Sequence, residues 1–273
     1  MFVNQQPRTV LGSTARTLGL IYHNTVRIVR KKHGNALMAL VMNFSQTLIM
    51  VAVFYIMMTL TGMRTVPIRG DFVVFLMTGI FLFMTHIKSM GAVASAEGPA
   101  SPMMKHAPMN TVIAVASSAL SALYIQLLTM IVILFLVHVA WHPVEIDRPI
   151  GVIGMVMLAW FTGATIGLVF YALRPWFPTA VPIINTLYSR ANMIASGKMF
   201  VANALPTHIL VYFDWNPLFH TIDQARGFAF VNYWPRYSSV SYPVKVGLAL
   251  LMIGLIAEFY TRRNASLSWS AGR

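Results

Sequence analysis

Long runs without charge dominate the pattern of this chain. Residues 36–60 contain no charged side chain, and further apolar runs cover 72–90, 111–140, 150–173, 180–205 and 244–260. A bilayer core takes about 20 apolar residues per helix, so these six stretches predict six transmembrane helices. The run 180–205 is the most interrupted, because Arg190 and Lys198 fall inside it. Ahead of the first run, residues 9–33 lack proline. Wound at 100° per residue, they put Arg16, His23, Arg27, Arg30 and Lys31 on one face, and Leu11, Leu18, Ile21, Tyr22 and Val29 on the other. That two-sided pattern predicts a helix lying in a membrane interface. Residues 91–110 are small and polar, broken by Pro99, Pro102 and Pro108, and read as a loop. Residues 206–243 carry ten aromatics. They are too apolar for a free loop and too interrupted for a span. Asn216 followed by Pro217 is a helix start, so short re-entrant or interfacial helices are expected there. The fold expected is a single all-α polytopic membrane domain over 1–273.

Composition agrees with that pattern. Apolar residues make up 57% and Asp, Glu, Lys and Arg 10%, against roughly 25% charged in an average soluble domain. Too few charges are present to cover a globule of this size in water. Cysteine is absent, which excludes disulfides, thiolate nucleophiles and Cys-based metal sites. Only seven carboxylates and eight histidines remain for acid–base or metal chemistry. His138, His142, Glu145 and Asp147 form the one near-cluster, and it lacks metal-ligand spacing. No catalytic residue and no metal site is expected. Ser196-Gly197-Lys198 is like the end of a phosphate-binding loop, but Asn192 stands where that loop needs glycine and no strand precedes it. No cofactor is expected on this chain. An ion-driven carrier needs a carboxylate at the bilayer midplane, and none lies mid-span.

The net charge of +13 gains meaning from its placement. Residues 1–35 hold Arg8, Arg16, Arg27, Arg30, Lys31 and Lys32 without an acid. Placing them in the cytoplasm brings Lys88, Lys105, Arg174, Arg262, Arg263 and Arg273 to the same side, and leaves five of the seven carboxylates on the other. The positive-inside rule then predicts both termini in the cytoplasm. It assigns the excess charge to a membrane surface rather than to nucleic acid. The first apolar run starts too late and is too long for a cleaved signal peptide.

Several side chains are candidates for function. Asn185, Ser189, Asn192 and Ser196 form one helical stripe, with Arg190 and Lys198 off it. A cation at the bilayer centre costs about 3 kcal/mol or more, so this helix is expected to be buried or to line an aqueous path. Tyr212, Trp215, Tyr233 and Trp234 belong either to an interfacial aromatic belt or to a path on which sugar faces stack. Arg16, Arg27, Arg30 and Lys31 suit lipid headgroups or the anionic headgroup of a substrate. Met103 and Met104 beside Lys105 and His106, with Glu97 upstream, suit either a segment seated in a cytoplasmic partner or a plain connector.

The order of these parts, a basic amphipathic helix, six spans, a loop after the second and a Trp-Asn-Pro segment before the sixth, resembles a known family. The residues that carry the resemblance are Gly79-Ile80-Phe81-Leu82-Phe83-Met84, Ser89-Met90, Lys105 with Pro108, Thr111-Val112-Ile113-Ala114, Phe177-Pro178 and Ser189. The most specific are Phe213-Asp214-Trp215-Asn216-Pro217-Leu218-Phe219-His220, with Arg226. The chain resembles the permease subunit of ABC exporters for capsular and related cell-surface polysaccharides. Ala107-Pro108 departs from the Phe-Pro or Tyr-Pro that members often carry. The resemblance implies a homodimer in the bacterial inner membrane, served by two copies of a cytoplasmic ATPase that holds ATP and Mg. It also implies a lipid-linked polysaccharide as cargo, and a periplasmic adaptor with an outer-membrane channel. A permease for a smaller amphiphile, such as a drug or another lipid, is the alternative.

Overall fold

The structure, a computed structural model, describes residues 10–31, 36–60, 68, 71–98, 110–140 and 143–264. Among these residues every extended regular element is a helix. α1 covers Val10–Lys31, α2 Ala36–Leu60, α3 Phe72–Ala94, α4 Thr111–Ala140, α5 Pro149–Leu173 and α6 Ala180–Ala195. α7 covers Thr207–Leu210, α8 Pro217–Ala229 and α9 Ser241–Asn264. Among the described residues, five helices are long and apolar enough to cross a membrane: Leu40–Leu60 within α2, and the whole of α3, α4, α5 and α9. The chain is a helical membrane protein by the length and composition of these elements.

α3 is the centre. It packs against α5, α4, α8 and α2 and is buried along most of its length. Between helices in lipid there is no hydrophobic driving force, so close backbone approach and polar contacts hold them together. Gly163 and Gly167, spaced Gly-x-x-x-Gly on α5, lie against the backbone of His86 and Met90 on α3. A Cβ at Gly167 would stand 2.5 Å from the Met90 carbonyl oxygen. On α9, Gly247 and Gly254 make room for Phe161 and Leu168 of α5. Polar bonds complete the joints. Asn43 Nδ2 donates to Gln126 Oε1 (2.5 Å) and Thr129 Oγ1 (2.9 Å), tying α2 to α4. Trp160 Nε1 donates to the Ala119 carbonyl at 2.8 Å, tying α5 to α4. Thr261 Oγ1 donates to the Ala172 carbonyl at 2.9 Å, tying α9 to α5.

The stretch 180–205 differs from the full span expected of it. Its helix, α6, has 16 residues, about 24 Å at 1.5 Å per residue, short of the roughly 30 Å hydrocarbon core. It ends because Gly197 takes a φ of 70°, the left-handed conformation that closes helices and that glycine adopts without steric cost. The chain then passes through a short 3-10 turn, Ala202–Ala204. Only Val181 and Asn192 of α6 are buried. Within 206–243, α8 is a core element: ten of its 13 residues are buried, against α5, α3 and α9. Its start is set locally. The Asn216 side chain accepts the Leu218 N–H, and Pro217 fills the first helical position, where no N–H is needed.

Candidate functional site

Two buried cations meet at the turn after α6. Arg226, on α8, is 1% exposed. Its Nη1 donates to the carbonyls of Gly197 (3.0 Å) and Phe200 (2.5 Å), its Nη2 donates to the Lys198 carbonyl (2.6 Å), and its Cζ lies 4.0 Å over the Phe75 ring. Burial lowers the guanidinium to about 10, opposed by Asp223 and Tyr233. Asp223 accepts from the Tyr233 hydroxyl and from Ser238 Oγ at 2.6 Å. Burial, then the charge of Asp223, pushes the Tyr233 hydroxyl up. Arg226 thus satisfies the carbonyls of a turn that has no helix to satisfy them.

Lys198 is also 1% exposed. Its Nζ has no hydrogen-bond acceptor and sits 3.7 Å from the centroid of the Phe83 ring and 4.8 Å from that of Phe54. The faces of two aromatic rings replace water around the amine. Gly79 admits this turn, since a Cβ there would be 2.7 Å from the Lys198 carbonyl oxygen.

Asn216 ties α6 to α8. Its Nδ2 donates to Asn192 Oδ1 (2.8 Å) and to the Ala195 carbonyl (2.9 Å). Asn192 donates to the Tyr188 carbonyl at 3.0 Å. Ser189 donates to the Asn185 carbonyl at 2.8 Å, and Asn185 is half-buried. His220 is buried, with Nε2 2.6 Å from the Asp214 carbonyl. The Ser239 N–H donates to its Nδ1 at 3.1 Å, so the proton sits on Nε2.

A polar contact that the sequence did not single out lies deeper. His86 of α3 is fully buried. Its Nδ1 is 3.2 Å from the Ala159 carbonyl and 3.1 Å from Thr162 Oγ1, and its Nε2 is 3.0 Å from the Tyr188 hydroxyl. A carbonyl only accepts, so Nδ1 carries the hydrogen and Nε2 accepts from Tyr188. The signal for it was an ionisable residue at the end of an apolar run, which by itself marks a site of interest.

Other candidates lie on the surface. Arg190 is exposed on α6, about 15 Å along the helix from Ala180. It lines an open groove of about 370 Å³ with Pro182, Ile183, Thr186 and Leu187. Tyr212, Trp215 and Trp234 are exposed, Trp234 at 75%, whereas Tyr233 is buried. Asp214 is exposed. The path candidates therefore divide: Asn192, Lys198 and Tyr233 lie inside the protein with Asn216, Pro217, His220 and Arg226, while Arg190 and three aromatics face outward.

At the other end of α3, Arg27 Nη2 of α1 lies 3.3 Å from Glu97 Oε1. The Tyr171 hydroxyl donates to the Glu97 carbonyl at 3.1 Å. Arg16 and Arg30 are exposed on α1, and Lys31 is its last residue. Met103, Met104, Lys105 and His106 lie outside the described residues. Among the described residues no group of three His, Asp or Glu side chains is placed to hold a metal ion. No family model matches this chain, and no curated protein matches it.

Proposed function

We propose that the chain is the transmembrane subunit of an ABC exporter in the bacterial inner membrane. It moves a lipid-linked, acidic capsular polysaccharide outward, with six crossings that include α6 and with both termini in the cytoplasm. It does no covalent chemistry of its own. A separate ATPase, two copies per homodimer, supplies the energy, and a periplasmic adaptor and outer-membrane channel receive the cargo. Partners and cargo come from the family resemblance.

One observation carries the reading. Arg190 is exposed on α6 two residues past Tyr188, which meets His86 in the middle part of α3, and Ile183, Ile184, Leu187 and Ile194 are exposed on the same helix. Facing hydrocarbon it costs about 3 kcal/mol or more. A second copy of the chain with an aqueous path between the two removes that cost. The path then presents a cation from each protomer to an anionic cargo. Arg suits phosphate and carboxylate because its planar fork donates twice.

The test is surface polysaccharide measured alongside detergent melting. Arg190→Ala is expected to lose most export while the dimer still assembles, and Arg190→Lys to keep part of it. Normal export and normal melting in the alanine variant removes Arg190 from the path. The groove beside Arg190 is open and lined mainly by apolar side chains, which suits a smaller amphiphile as the second reading. Loss of amphiphile efflux with surface polysaccharide unchanged, in cells lacking the chain, selects that reading.

A further inference from the structure

Helix α1 has three sides. Thr17, Ile21, Asn24 and Ile28 recur at helical spacing and are buried or half-buried on the side of α4, against which α1 packs. There the Ser117 hydroxyl donates to the Ile21 carbonyl at 3.2 Å. Leu18 and Tyr22, one turn apart, are 61% and 65% exposed. Arg16, His23, Arg27 and Arg30 follow at i, i+7, i+11 and i+14, all exposed, as a stripe about 21 Å long. α1 itself contains no acid. Among the described residues, Glu97, from the chain just past α3, reaches the stripe through its ion pair with Arg27.

We propose that this stripe seats anionic phospholipid headgroups, and that Glu97 is its built-in competitor, holding Arg27 when no headgroup does. The occupant follows from the neighbouring side. A soluble acidic partner or a nucleic acid leaves Leu18 and Tyr22 in water, whereas a bilayer surface covers them while its headgroups meet the arginines. The competition is balanced. Each basic residue near an anionic leaflet shifts association about fivefold. The Arg27–Glu97 pair is part-exposed on both sides, and exposed pairs are worth no more than that. The Tyr171 hydroxyl holds the Glu97 backbone, so the exchange is a movement of side chains rather than of the chain.

The experiment uses the full chain in phosphatidylcholine nanodiscs, with spin-labelled phosphatidylglycerol or phosphatidylcholine as the probe. The wild-type chain is expected to retain phosphatidylglycerol preferentially. Neutralising Arg16, Arg27 and Arg30 together to Gln should remove the preference, and changing the same three to Lys should keep it. Glu97→Gln should raise the preference about fivefold while Arg27 is present, and by less when added to Arg27→Gln. Equal retention of the two lipids by the wild-type chain overturns the seat. An equal gain from Glu97→Gln with and without Arg27 overturns the competitor, since general surface charge then accounts for it. Complete displacement of the preference by inorganic phosphate at constant ionic strength points to a soluble anion instead, and also overturns the proposal.

Discussion

Arg226 and Lys198 are both buried cations on one turn, yet they behave differently under substitution. Arg226 donates to three carbonyls, and Lys in its place offers a point charge on a stem without the planar fork. Arg226→Lys is expected to cost about 3 kcal/mol, because a buried acceptor left without its donor loses its full desolvation compensation. Reduced yield and a lower melting temperature in detergent are the measurements. Lys198 has no acceptor to abandon. Its amine keeps only the ring faces of Phe83 and Phe54, against which the thioether of a methionine also packs, and an apolar side chain removes the desolvation of the amine. Lys198→Met is therefore expected to hold or raise stability, by about 1 kcal/mol. Melting and export read together decide its role: export lost at raised stability makes Lys198 a working residue of the path, and a fall in melting contradicts the packing argument.

Among the elements, α6 and α8 are joined through one side chain. Asn216 uses its oxygen to cap α8 and its amide to hold Asn192 and the Ala195 carbonyl. Asn216→Asp separates these jobs. The carboxylate still accepts the Leu218 N–H and suits a helix N-terminus, but it has no hydrogens for the two acceptors on α6. A loss of about 2 kcal/mol is expected, with α8 itself intact. Detergent melting, together with protease resistance of the 195–216 connection, checks this; a variant as stable as the parent assigns Asn216 to capping alone. α3 and α5 are held differently, by glycine-mediated backbone contact at Gly163 and Gly167. α2 adds a buried amide, Asn43, to its contact with α4.

For the whole molecule, the distance between the two ends of α3 sets the problem. Arg226 stacks on Phe75 near one end and Arg27 pairs with Glu97 beyond the other, with roughly 29 Å of α3 between Phe75 and Ala94. The exporter we propose must join events at both. The purified chain is expected to hydrolyse no ATP, because Ser196-Gly197-Lys198 ends a helix rather than cradling a phosphate. Met104→Asp with Lys105→Glu is expected to lower co-purification of the ATPase without affecting membrane insertion. Turnover by the chain alone would sink the proposed division of labour, and unchanged co-purification together with unchanged export moves the docking surface elsewhere.

The sequence by itself determined the helical class, the five long apolar helices and the start of α8, because each follows from a local cause. Charge-free runs of about 20 residues select helices in lipid, and Asn216 before Pro217 nucleates the next helix wherever it lies. The amphipathic pattern of α1 was equally legible, since polar and apolar positions three and four apart share a face. Its pairing to Glu97, 70 residues on, was not. Nor was the side on which each polar residue of 180–205 falls. Periodicity placed Asn192 on a polar stripe, but only the fold decided that Asn216 meets it and that Arg190 faces away. Lys198 and Arg190 look alike as cations in one apolar run. The left-handed turn at Gly197 directs the first into a cage of Phe54 and Phe83, while the continuous helix leaves the second exposed. Such outcomes depend on which distant helix supplies a ring, a carbonyl or nothing at all, and that partner is chosen by the packing of α3 and α8 rather than by any neighbour in the chain.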